Sequence, residues 1–185
     1  MSAIAEAQPR RKLWSRDEVP FLQKAGLLGD RPFELLDGEI VYKMAKNPAH
    51  VNAVRRCQCW AEALFGAEFV RTQDPLILDL FNEPEPDILV TLGPEAEYVE
   101  MHPTAAEARL VIEVSDATLS DDLGMKALRY ARAEIQEYWV LDLENRCLYV
   151  HQEPSENGFG SVLRLAEDQH VSSPAVAVTD LLPLL

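Results

Sequence analysis

The sequence predicts a mixed α+β domain, α/β-like in its alternation, with helices lying against a central mixed β-sheet. Three observations lead there. Short apolar runs of strand length alternate with two longer stretches whose apolar residues recur at helical spacing. An Asp-Gly pair between apolar segments marks an N-terminal hairpin, since both turn residues tolerate positive φ. Residues 109–115 are so uniformly apolar that a strand there would be covered on both faces.

The elements follow in order. Residues 1–14, with Arg10, Arg11 and Lys12, read as a flexible basic arm, and residues 15–185 as one domain. Ser15-Arg16-Asp17-Glu18 fits a capping box for a short helix reaching Ala25, stopped by Gly26. The hairpin occupies residues 33–42 around Asp37-Gly38. Residues 48–65 read as a helix, because His50, Val54, Cys57, Ala61 and Leu64 form one stripe. Strands are expected at 68–73 and 76–80, then at 87–91 after the break Glu83-Pro84-Glu85-Pro86. The strand at 109–115 precedes a second helix over 121–133, whose first turn is acidic, as the helix dipole favours. Strands at 138–141 and 147–151 flank a turn, and one near 161–165 and an apolar C-terminal segment close the chain.

Bulk properties limit the function. A length of 185 residues suits one domain with a real core. The apolar runs fall far short of the roughly 20 residues of a membrane helix, and the N-terminus lacks the basic-then-apolar order of a signal peptide. Cytoplasmic residence is the expectation. Cys57 and Cys59 stand two positions apart on a helix, about 200° around its axis, so with Cys147 they read as reduced structural thiols. Acidic residues outnumber basic ones, 31 to 17, for a net charge of −14. That balance opposes a phosphate-bearing partner unless positive charge is localised.

The chemistry centres on two acids. Glu113 lies within Leu110-Val111-Ile112-Glu113-Val114, where a carboxylate is costly to desolvate unless compensated. Asp87 opens the apolar strand Ile88-Leu89-Val90. Projecting from the same ends of neighbouring strands, the pair would make a hard oxygen site suited to magnesium or manganese. The bland alternatives are a strand-end cap for Asp87 and a structural ion pair for Glu113.

The motif order carries a resemblance. Phe33-Glu34-Leu35-Leu36-Asp37-Gly38-Glu39, Pro48-Ala49-His50, Glu85-Pro86-Asp87-Ile88, Val111-Ile112-Glu113-Val114, Lys126 with Tyr130, and Glu137-Tyr138-Trp139-Val140-Leu141-Asp142 follow one another. In this the chain resembles the Uma-type restriction endonucleases of the PD-(D/E)XK superfamily over residues 15–185. The resemblance implies a restriction-endonuclease-like fold and a magnesium-dependent site with Asp87 and Glu113 as its acids. The usual lysine two positions after the second acid is replaced by Ser115. Related members carry it on the following helix, which Lys126 matches; otherwise Lys126 reads as an i, i+4 partner of Asp122. Glu34, His50, Gln73 and Tyr130 are further candidates for the site.

Function follows as an expectation: a metal-dependent endonuclease hydrolysing phosphodiester bonds in DNA. A homodimer would let two basic faces flank a duplex, and Arg55 and Arg56 on the first long helix are candidate phosphate contacts. The alternatives are a catalytically silent protein-binding module of the same fold and a metal-dependent hydrolase of small phosphorylated molecules.

Overall fold

The computed structural model describes residues 11–184. Arg10 and most of the expected basic arm lie outside the described residues. Its inner end is tied down: the Trp14 amide donates to Gly38 O at 2.8 Å, and Trp14 packs with Val19, Leu22, Leu28 and Leu35. Helix α1 (Val19–Lys24) starts beside half of the expected capping box, with the Glu18 carboxylate accepting the Ser15 amide at 3.0 Å. It ends before Gly26, where φ is +71°.

Strands β1 (Phe33–Leu36) and β2 (Glu39–Tyr42) form the expected hairpin, with Asp37 and Gly38 at φ +49° and +75°. Alternation sorts its side chains. Phe33, Leu35 and Ile40 face the small cluster with α1, while Glu34 and Leu36 point toward the main body.

Six strands make the central sheet, in the order β3 (Val70–Arg71), β4 (Ile88–Thr91), β5 (Ala108–Ser115), β6 (Glu137–Asp142), β7 (Cys147–Ser155), β8 (Gly158–Ala166). β5 and β6 run parallel and the other neighbouring pairs antiparallel, so the sheet is mixed as expected. The parallel pair requires a crossover. It is supplied by α3 (Leu119–Asp121), a π-helical turn (Asp122–Lys126) and α4 (Ala127–Arg132), which together occupy the second predicted helix.

Both faces of the sheet are covered. Helix α2 (Pro48–Phe65) lays Ala53, Val54, Cys57 and Ala61 against Ile88, Ile112, Trp139 and Leu141. The same face receives β9 (His170–Ser172), β10 (Ala175–Ala177) and α5 (Val178–Leu181). The crossover covers the other face, where Tyr130 and Ala127 meet Leu89, Val111, Tyr138 and Val140. No helix among the described residues is long and apolar enough to cross a membrane.

Three expectations need correction. Leu64 is exposed, because the stripe continues four residues from Ala61 to Phe65, which packs on the core instead. The region 68–73 holds the end of a 3-10 turn (Ala67–Phe69), the two-residue β3 and a bend. Residues 76–80 form no strand. Leu76 and Ile77 are buried and Leu80 is exposed, but the amides of Leu76, Ile77 and Leu78 donate to Pro84, Pro103 and Asn82 carbonyls in loops. Burial there is served without a ladder.

Candidate active site

β4 begins where its antiparallel neighbour β5 ends. Ile88 stands opposite Ile112, so continuing the register by one residue sets Asp87 opposite Glu113. Directly opposed residues share a face, with Cβ atoms about 5 Å apart. Both acids are buried and line one cleft of about 310 Å³ at this end of the sheet.

Asp87 is held by donors from three elements. His50, in the first turn of α2, places Nε2 3.2 Å from Oδ2; the Val114 amide donates to Oδ2 and Gln73 Nε2 to Oδ1, each at 2.9 Å. α2 begins in the right place because Asn47 accepts the His50 amide at 2.9 Å and Pro48 opens the helix. Gln73 adopts φ +57°, just before the Asp74-Pro75 break.

Glu113 is held from the opposite side. Lys126 Nζ lies 2.8 Å from Glu113 Oε1, and Tyr130, one turn later, donates its hydroxyl to the same oxygen at 2.9 Å. The π-helical turn ends at Lys126, so the lysine reaches the strand end from a locally widened helix, a feature common at functional sites. The surface pair with Asp122 expected as the bland alternative is not formed; Asp122 instead accepts the Thr118 hydroxyl at 2.6 Å. Ser115, in the usual lysine position, is fully buried, its oxygen 3.4 Å from that of Thr118.

The hairpin closes the third side. Glu34 Oε1 accepts the Glu85 amide at 2.7 Å and lies 3.6 Å from Lys126 Nζ. Lys43, just past β2, pairs with Glu85 at 2.8 Å and reaches within 3.9 Å of Glu34. Arg129 ties the crossover helix to the hairpin through Asp37 at 2.7 Å.

Electrostatics separate the two acids. Burial pushes the Asp87 carboxyl up, but the bonds from His50, Gln73 and Val114 outweigh it and hold it below the ordinary aspartate value. Burial pushes Glu113 up to about 8 against the pull of Lys126, and the charges of Asp87, Asp122 and Glu34 push the same way. Burial also raises Asp122. Lys126 is raised despite its burial, because Glu113, Glu34 and Asp122 surround it. In all, seven carboxylates (Glu34, Glu85, Asp87, Glu113, Asp116, Asp121 and Asp122) and three lysines (Lys43, Lys46 and Lys126) line the cleft. Its charge calls for a cation.

Among the described residues, no three His, Cys, Asp or Glu side chains gather as a closed metal cage would require. Two opposed carboxylates with surplus negative charge suit a magnesium-type ion, which keeps several waters and commonly takes one or two protein carboxylates.

The structure thus brings Glu34, His50, Gln73, Asp87, Glu113, Lys126 and Tyr130 together. Arg55 and Arg56 stand elsewhere, bordering a separate hollow with Trp60 and Asp180. Arg56 Nε donates to Asp180 O at 2.9 Å, anchoring the C-terminal helix. Lys43, Glu85 and Asp122 escaped the sequence reading. Asp122 was masked by the acidic first turn it shares with Asp121, and Lys43 looked like an ordinary strand end. The available signal for Lys43 was its place just after the strand paired with the one carrying Glu34.

Similarity to known proteins now becomes informative. The fold resembles the crystal structure of a putative nuclease belonging to DUF820 from Anabaena variabilis, with a TM-score of 0.62 at 15% identity, covering 82% of this chain and 90% of that one. That likeness establishes a shared fold. The chain belongs to the Uma2 family, described as putative restriction endonucleases, whose profile matches residues 21–181. No curated protein matches it.

Proposed function

We propose that the protein is a metal-dependent endonuclease that hydrolyses phosphodiester bonds in DNA, with Asp87 and Glu113 as metal ligands and Lys126 as the third catalytic group. One observation carries the reading: two buried acids opposed across a strand pair, with a lysine drawn from the next helix onto the second acid. Family membership supports it.

A magnesium or manganese ion there would supply Lewis-acid polarisation of the phosphodiester and lower the pKa of bound water. The chain's own groups do the rest. His50, Gln73 and the Val114 amide fix the Asp87 carboxylate and keep it ionised. Tyr130 orients Glu113. Lys126, kept protonated by Glu113, Glu34 and Asp122, presents an ammonium to the charge that develops on the phosphoryl oxygens. Glu34 steadies Lys126 from the hairpin.

The test is cleavage of supercoiled plasmid in magnesium or manganese, with chelator as control. Wild-type protein nicks the plasmid, while Asp87→Asn, Glu113→Gln and Lys126→Ala lose at least 100-fold, roughly what one charge-stabilising group contributes. Metal-independent cleavage, or full activity in Asp87→Asn, defeats the assignment.

A further inference from the structure

The cleft offers a phosphate strand few cations. Against its seven carboxylates stand three lysines, two of which already pair with acids: Lys126 with Glu113, and Lys43 with Glu85. Lys46 bonds only the neutral Gln73. A duplex held by its backbone draws on many such contacts, each releasing counterions. With a net charge of −14, and with Arg56 bonded to carbonyls of the C-terminal segment, the cleft itself offers a duplex backbone few contacts.

The same cleft has a marked apolar rim. Met44 is 70% exposed and Val41 41%, and both line it, whereas Tyr42, paired with Phe33, turns its ring to the α1 side. The rim is held at both ends. The Tyr42 hydroxyl donates to Leu28 O at 3.1 Å and its ring lies 4.8 Å from the Arg31 guanidinium, while Asn47 caps α2 and bonds Asp116. Apolar surface beside a phosphate-directed site suits an unpaired base, which offers an uncovered face to pack on. A paired base has its faces covered by its neighbours. The cleft volume, about 310 Å³, is at the lower end of the range for small-molecule pockets.

We infer that the preferred substrate is an unpaired DNA strand, with residues 41–47 as its binding rim: Lys46 meets the backbone, and Val41 and Met44 take the base. The inference rests on the nuclease reading for the phosphate placed at Asp87 and Glu113. Fluorescence anisotropy of the wild-type chain in calcium tests it, comparing a short labelled single strand with the duplex of the same sequence across a range of salt. The single strand binds at least about tenfold more tightly. Its affinity falls with salt at a slope of about −0.7 to −1.4, the value for one or two phosphates. Met44→Ser and Lys46→Ala, both changes at the cleft mouth, each weaken it about three- to tenfold with unchanged circular dichroism. Equal or tighter duplex binding, no binding of the single strand, or rim variants that bind like wild type overturn the inference. Cleavage of the same oligonucleotides in magnesium separates the two readings. Single-strand binding without cleavage removes the nuclease and keeps the rim, whereas efficient cleavage of duplex by a chain indifferent to the rim does the reverse.

Discussion

The two sides of the cleft bury a carboxylate each and treat it in opposite ways. On the α2 side, Asp87 meets three donors, from His50, Gln73 and a backbone amide, and stays ionised below its ordinary range. On the α4 side, Glu113 meets one ammonium and three other acids, and its pKa rises to about 8. Burial costs both. What differs is the compensation: hydrogen-bond donors, with the pull of His50, hold Asp87 ionised, while the crowded acids around Glu113 must share too few positive charges. One acid is fixed in place, and its neighbour is left short of positive charge that an ion would supply.

Lys126→Met breaks the α4 side most severely. It strands Glu113, Glu34 and Asp122 without their ammonium, and losing one partner of a buried pair costs about 3–5 kcal/mol. Urea melts at neutral pH measure it; a loss below about 1 kcal/mol would mean the pair is largely solvated. Asp87→Asn strikes the other side more gently. An amide cannot accept from all three donors, and an unsatisfied buried donor costs about 1–3 kcal/mol. Tyr130→Phe removes one hydrogen bond to Glu113, for a loss of about 1 kcal/mol.

Glu113→Gln should instead raise stability at neutral pH, because burial and the neighbouring acids hold Glu113 above its ordinary value and folding carries that cost. The pH dependence then sharpens the comparison. With its folded pKa above the ordinary 4.5, Glu113 supports the fold fully below that value and loses that support as pH rises through about 8. Wild type should therefore lose stability relative to Glu113→Gln across that window. Asp87 has the opposite sign. Its pKa is depressed from 3.8, so its support is present above that value and is lost as pH falls through the folded pKa. Asp87→Asn should flatten the acid limb and, by removing a charge that raises Glu113, also soften the alkaline one. Melting temperatures from pH 3 to 9 separate the curves.

Much of this architecture was legible because local chemistry and burial agreed. Asp37-Gly38 dictated a hairpin, the apolar stripe over 48–65 marked a helix, and the run around Glu113 called for a strand covered on both faces. The acids were legible for the opposite reason, as charges inside apolar strands. The sequence misled where burial came without a ladder, as in residues 76–80, whose amides bond to loop carbonyls. Lys43 gains its role from long-range packing against Glu85, while the i, i+4 spacing of Asp122 and Lys126 was legible but suggested a surface pair rather than a buried neighbour. The π-helical turn that delivers Lys126 left no trace in the helical periodicity.

The central claim is that a divalent ion supplies the positive charge this cleft lacks, at Asp87 and Glu113. Isothermal titration with manganese at pH 7, repeated in buffers of different ionisation enthalpy, tests it most directly. The account predicts one bound ion per chain, with a fraction of a proton released as Glu113 gives up its own. In Glu113→Gln that release should vanish and the affinity fall at least tenfold. No ion binding, or binding with the same affinity and proton release in Glu113→Gln, would contradict it.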